Sequence, residues 1–267
     1  EAQRVVAATG PFQVPAFPKI VPEESGIAQI HSSNYKNPDQ LADGAVLVVG
    51  GGASGSQIAE ELMRAGRKVY LSIGEHYRPP RSYRDRDYVW WLGVLGKWDE
   101  IKTQAKKKHV AFAVSGYDGG KTIDFRNMGH QGVTVLGITQ SYKDGVLSFA
   151  DDLVENIKEG DRAYLDVLRE ADAYVERNGI DLPPEPEAWD IQSDPDCVTN
   201  PILELDLKEA QVGTIIWATG FKFDFSWLDV DAFDEQGMPF HKRGISAETG
   251  VYFLGLPELT NRASSFI

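Results

Sequence analysis

Five apolar residues in a row, Ala45 to Val49, end abruptly at a glycine. A run of this kind suits a strand buried on both faces, as in a parallel sheet. Beyond it Ile58, Ala59, Leu62 and Met63 recur at helical spacing, which predicts a helix that begins at Ser54, shows one apolar side and stops at Gly66. Val69 to Ile73 is a second apolar run. Strand, helix and strand make a βαβ unit of about 30 residues.

The same reading places strands at Arg4–Thr9, Val110–Val114, Val133–Ile138, Gly213–Trp217 and Val251–Leu256. It places two helices at Asp151–Ile157 and Asp161–Asn178, broken at Gly160; the second carries Tyr164, Leu165, Leu168, Ala171 and Val175 on one side and ends at Gly179. Tyr88 to Gly96, with Trp90 and Trp91, is the most apolar patch, too short for a bilayer and suited to a core helix. Pro11, Pro15, Pro18 and Pro22 keep the chain extended as far as Gly26, and five prolines between Leu182 and Pro201 mark an irregular connection. Strands alternating with helices predict an α/β fold with a Rossmann-like domain.

Gly50, Gly52 and Gly55 fall in the spacing G-x-G-x-x-G between the first strand and its helix. Chance produces such spacings in a chain with 26 glycines, so the strand–turn–helix context carries the argument. One glycine serves the turn, one the approach of a pyrophosphate, and one the packing of helix on strand. The first amides of the helix, at Ala53 and Ser54, would hold the anion. The plain alternative is a glycine-rich loop in the core with no ligand. Past the second strand come Arg78, Arg81, Arg84 and Arg86, while the strand end itself, Ser72-Ile73-Gly74, carries no charge. That combination fits a ribose 2′-phosphate, hence NADPH, read chiefly by Arg81 with Arg78, Arg84 and Ser72 beside it. A solvated loop whose arginines pair with Asp85 and Asp87 is the alternative, and Glu75 keeps NADH open.

Charge narrows the choice further. Against 27 basic residues stand 40 acidic ones, a formal net charge of -13, which disfavours nucleic acid as a partner. Lys106, Lys107 and Lys108 form the only basic run and read as a solvated helix face. Cys197 is the single cysteine, so no dithiol pair exists within the chain. No apolar stretch approaches the roughly 20 residues of a membrane span, and Glu-Ala-Gln-Arg lacks signal-peptide character, so a cytoplasmic protein is expected. His31, His76, His109, His130 and His241 show no metal-ligand spacing, and no metal site is expected. Ser54 follows Ala53 rather than standing in G-x-S-x-G, and no catalytic side chain is assigned.

Several further features share one pattern. Two strands end in Ala-Thr-Gly, at Ala8 to Gly10 and at Ala218, Thr219 and Gly220. With Gly50 to Gly55, Pro80-Arg81, Arg84 to Asp87, Trp90-Trp91 and Asp224 to Leu228, they resemble the class B flavoprotein monooxygenases. That group holds the flavin-containing monooxygenases and N-hydroxylases, and the likeness is greatest to a bacterial branch of flavoproteins described as involved in potassium transport. Of the group's fingerprint F-x-G-x-x-x-H-x-x-x-(F/Y), His31, Tyr35 and Pro38 keep their spacing, but Glu24 replaces the aromatic and four residues separate Gly26 from His31. His31 is therefore expected to be structural.

The resemblance implies a two-dinucleotide-domain flavoprotein. Residues 1–40 would close a first FAD-domain segment, 41–220 would form the NADPH domain with Ala218, Thr219 and Gly220 at its site, and 221–267 would return to the FAD domain. It implies that NADPH reduces the flavin and that a flavin hydroperoxide then oxygenates a small-molecule substrate; it leaves a homodimer open. The FAD site would lie mainly upstream of Glu1, and a final segment would follow Ile267. A polypeptide of these residues alone should then bind NADPH weakly and retain no FAD. It should expose apolar surface near Val5, Val6 and Val251 to Leu254. The alternative from another class is a non-catalytic module that binds the dinucleotide and regulates a partner such as a transporter.

Overall fold

The computed structural model describes residues 2–100, 111–257 and 259–265. The chain divides into two compact units, one of residues 17–91 and 109–219, the other of residues 1–16, 92–108 and 220–267. These boundaries differ from those read in the sequence: residues 17–40 belong with the glycine turn, and the unit holding the chain's two ends also takes in a segment after Trp91. The Lys106–Lys108 run and His109 lie outside the described residues.

The larger unit is built on five strands, β1 (Ala28–His31), β2 (Ala45–Val49), β3 (Val69–Ser72), β4 (Thr134–Leu136) and β5 (Val212–Trp217). They lie in the order β4-β3-β2-β5-β1, and every pairing is parallel. The unbroken apolar run of β2 follows from this central place. Val46 and Val48 enter one core with Ile58, Ala59, Leu62, Leu71 and Phe125, whereas Ala45, Leu47 and Val49 enter another with Leu136, Leu147 and Trp217. All five residues of β2 are buried. Helix α1 (Ala53–Arg64) covers the first face and ends where Gly66 turns to a φ of +77°.

Three departures from the sequence reading have plain causes. First, β1 is a four-residue edge strand with two apolar and two polar residues, so its pattern is weak. Second, a three-stranded antiparallel sheet, Thr139–Lys143, Val146–Phe149 and Glu204–Asp206, covers the second face. Its hairpin turns at Asp144 and Gly145, whose φ values of +51° and +90° are those that an Asp-Gly pair supplies. Third, Asp151–Ile157 and Asp161–Asn178 are not two helices. One 26-residue helix, Leu153–Asn178, runs through Gly160. Glycine stands there because a Cβ would meet the His76 ring at 2.3 Å, so it marks close packing rather than a break.

The strand expected at Val110–Val114 is, among the described residues, the pair Ala111–Phe112, parallel to His76–Tyr77. Trp91 lies fully buried in the helix Tyr88–Val94, its indole N–H donating to the carbonyl of Tyr83. Among the described residues no helix is long and apolar enough to cross a membrane.

In the other unit Val5–Ala7 runs parallel to Val251–Phe253, with Ile245–Ser246 and His241–Lys242 completing the sheet. Ala7, Val251 and Phe253 point into a small core with Phe225, Leu256 and Leu259. Val6 and Leu254 are about half exposed, at 57% and 48%. The apolar exposure expected over Val251 to Leu254 is thus confined to part of it, since strand residues alternate between faces.

Candidate functional site

The glycine turn begins where β2 ends. Gly50 takes a φ of +121°, and a Cβ there would stand 2.3 Å from the carbonyl oxygen of Ala218. At Gly55 a Cβ would stand 1.7 Å from the carbonyl oxygen of Gly50, so the helix can lie against the strand end only if this position lacks a side chain. Gly51 is a third constrained position. It is buried, and a Cβ would press on Ile73 at 2.9 Å and on Phe125 at 3.3 Å. The motif leaves that position free, so spacing alone did not mark it.

Gly52 is the N-cap of α1, in extended conformation, and its carbonyl accepts from the amide of Ser56 at 2.9 Å. The amides of Ala53, Ser54 and Gly55 belong to the first turn, where an α-helix has no internal acceptors for them. No acidic residue occupies that turn, and Ser54 is exposed. The positive end of the helix dipole therefore faces outward without a local counter-charge, which is the chemistry a pyrophosphate needs. Ala218 lies beside the turn, its amide donating to the carbonyl of Val49 at 2.8 Å, and Ala218 and Thr219 are both half-buried. The chain leaves β2 towards β3 on one side while β5 lies on the other, so the carboxyl ends of β2 and β5 flank a point where strand order reverses. Dinucleotides bind at such points in open α/β sheets. A close-packed glycine turn followed by a helix start whose first amides lack intrahelical acceptors fits that ligand. Gly220, with a φ of +78°, falls in the other unit, where its carbonyl accepts from the amide of Ala16.

The residues expected to read a 2′-phosphate have other partners. Ser72 is buried, its hydroxyl donating to the carbonyl of Gly137 at 2.8 Å and accepting from the amide and hydroxyl of Thr139. Arg78 is 3% exposed; it lies 2.6 Å from Asp161 and 3.6 Å from Asp124, and its guanidinium stacks 4.5 Å over the Tyr164 ring. Arg126 joins the same network through Asp161 at 2.7 Å and Asp194 at 2.6 Å. This buried set ties the segment after β3 to the helices Phe125–His130 and Leu153–Asn178. Arg84 pairs with Asp172 at 2.9 Å and donates to the carbonyls of Leu182 and Pro183. Arg81 pairs with Asp87. Burial and internal pairing engage the polar atoms of Arg78, Arg84 and Ser72. Arg81, partly exposed and paired at the surface, is the one arginine of the three that could turn to a ligand.

His76, beneath Gly160, is 2% exposed, and burial pushes its pKa down to about 4 against the opposing bond to the carbonyl of Gly74. His31 is fully buried and its Nδ1 accepts from the amide of Ser33 at 3.2 Å, closing the turn after β1. Tyr35 donates to Glu61 of α1 at 2.9 Å, so the partial fingerprint fastens β1 and its turn to the helix. Beside them a groove of about 360 Å³ runs along α1, lined among others by Ser54, Gln57, Glu61, Arg64 and Tyr117. Among the described residues no three His, Cys, Asp or Glu side chains gather as a metal centre.

Comparison with known proteins agrees with this geometry. The family described as pyridine nucleotide-disulphide oxidoreductase matches residues 1–112. A CzcO-like oxidoreductase of Geobacillus kaustophilus, itself uncharacterized, is 30% identical over 270 residues, covering all of this chain and 61% of that protein. Flavin-containing monooxygenase 1 of Rattus norvegicus is 28% identical over 200 residues, 74% of this chain and 32% of that one. These matches make the chain similar to class B flavoprotein monooxygenase-like proteins. The fold is shared with the flavin-containing monooxygenase from Stenotrophomonas maltophilia, at a TM-score of 0.53 and 17% identity, over 98% of this chain and 57% of that one. The chain thus spans about three-fifths of the length of the relatives that match it along its whole extent. With Cys197 as its only cysteine, it offers no dithiol pair for the disulphide chemistry in the matched family's description.

Proposed function

We propose that this chain is the nucleotide-binding portion of an FAD- and NADPH- or NADH-dependent oxidoreductase, and that the whole protein is a monooxygenase acting on a small molecule. The observation that carries the reading is the turn at the end of β2, where Gly50, Gly51 and Gly55 leave no room for side chains and α1 begins beside it. Gly50, Gly52, Ala53, Ser54 and Gly55 would hold the pyrophosphate, with Ala218 and Thr219 bordering the ligand. NADPH, expected from the arginines, keeps Arg81 as its reader.

A bound flavin would supply the oxygen chemistry, and a bound nicotinamide the hydride. The part played by this chain is binding and orientation: the helix end neutralises the pyrophosphate, and the close-packed turn fixes its depth in the crevice. The second reading is a non-catalytic dinucleotide module, in which the turn from Gly50 to Gly55 holds the nucleotide and no flavin is bound. Flavin separates the two. The purified full-length protein should show flavin absorbance and oxidise reduced nicotinamide in air, whereas a colourless protein that still binds the nucleotide would support the module.

A further inference from the structure

Resting on the reading of the glycine turn as a dinucleotide site, we propose that Phe125 is a positioning residue for the nucleotide, its ring setting the height at which the turn meets the pyrophosphate. The motif spacing asks for no glycine at Gly51, yet this position is closed to a side chain. A Cβ there would stand 2.9 Å from Ile73 and 3.3 Å from Cζ of Phe125, so the backbone of the turn rests on the tip of that ring.

The ring is itself supported. Phe125 is buried, and His76 meets it edge-on, at 4.7 Å between ring centres and 85° between planes. His76 is stopped in turn by Gly160, where a Cβ would stand 2.3 Å from its Nε2. A stack therefore runs from Gly51 through Phe125 and His76 to Gly160 on the helix Leu153–Asn178, with a glycine at each end and two close-packed rings between them. Interiors packed this closely compress little and pass a displacement on.

The residues on either side of Phe125 hold its backbone. Asp124 caps the helix Phe125–His130, accepting from the amide of Arg126 at 2.8 Å, and lies 3.6 Å from Arg78. Arg126 pairs with Asp161 at 2.7 Å, and Asp161 follows Gly160 in the chain. One residue of the long helix thus seats His76 while the next anchors the segment that carries Phe125. Gly50, Gly51, Gly52 and Gly55 have no side chains with which to correct an error in the height of the turn. A binding constellation has to be held to within about 0.5 Å, so the support beneath these backbone groups decides how well they meet an anion. Leucine at residue 125 ends short of Cζ and would leave the turn unsupported.

The test is to titrate the full-length protein with NADH and with NADPH separately, as wild type, Phe125→Leu, Gly160→Ala and the double variant, with circular dichroism on each sample. Phe149→Leu is the control, because Phe149 is buried in the core on the other face of the sheet and the same truncation there leaves the stack intact. Phe125→Leu should bind both nucleotides roughly 10-fold more weakly, as when one hydrogen bond to a charged group is lost, while Phe149→Leu binds as wild type does. Gly160→Ala presses on the stack from its far end and should weaken both nucleotides too, but should add nothing in the Phe125→Leu background, where His76 has room to move. Wild-type affinity in a folded Phe125→Leu or Gly160→Ala protein overturns the proposal, as do an equal loss in Phe149→Leu and additive losses in the double variant. If Phe125→Leu does not fold, Gly160→Ala decides alone. If the wild type binds neither nucleotide, the dinucleotide site itself is wrong and the proposal falls with it.

Discussion

The imidazole of His76 occupies the space into which a side chain at residue 160 would project: a Cβ on Gly160 would stand 2.3 Å from its Nε2. In an exposed helix, replacing glycine by alanine stabilises by about 1 kcal/mol. Here the neighbour cannot give way, because His76 is buried and packed edge-on against Phe125 at 4.7 Å between ring centres. Overpacking of this kind costs about 1–3 kcal/mol. Gly160→Ala should therefore lower the urea midpoint, despite the better helix propensity; a raised midpoint would show that the ring moves aside freely.

The same histidine makes stability depend on pH. Its pKa falls from 6.5 in an unfolded chain to about 4 in the fold, with burial the largest cause; Arg78 lowers it further, while Asp161, Asp124 and the Gly74 carbonyl oppose. Between those values the unfolded chain binds a proton that the folded one refuses. The contribution is complete above pH 6.5, declines as pH falls towards 4, and is gone below that. It amounts to about 3 kcal/mol. Denaturation of wild type and His76→Gln from pH 7.5 down to 4 should show the stability gap between them narrowing; a constant gap would mean that His76 titrates normally.

Arg78 lies with Asp161 and Asp124 in a buried network, so Arg78→Met should act on the fold rather than on nucleotide choice. Removing one partner of a buried pair costs about 3–5 kcal/mol, and the remaining link from Arg126 to Asp161 places the loss at the lower end. Chemical denaturation should register that loss while the folded variant keeps its relative affinity for NADH and NADPH. Unchanged stability with a selective loss of NADPH affinity would return Arg78 to the site.

What could be read from the sequence was what one local pattern determines. Ala45–Val49, the glycines and the α1 stripe announced the βαβ unit because a doubly buried strand and a packed helix each impose their own periodicity. Gly160 misled because glycine has two uses, ending a helix or admitting a neighbour, and only the position of His76, distant in sequence, separates them. The partners of Arg78 and Arg84 were not legible for a similar reason: Asp161 and Asp172 lie more than 80 residues further on, beyond the nearer Asp85 and Asp87. Asp144-Gly145 was legible as a hairpin turn between Thr139–Lys143 and Val146–Phe149, and the sequence reading passed over it.

The central claim is that the turn from Gly50 to Gly55 holds a dinucleotide pyrophosphate. Gly52 caps α1 in ordinary extended conformation, with a φ of -77°, so a valine there meets no backbone restriction. If the pyrophosphate comes close at this position, a side chain there takes up its space. The direct measurement is the affinity of Gly52→Val for NADH and NADPH, with circular dichroism and the unfolding midpoint recorded on the same sample. The account predicts a folded protein with wild-type dichroism that has lost measurable binding of both nucleotides; a folded Gly52→Val protein with unchanged affinity would contradict it.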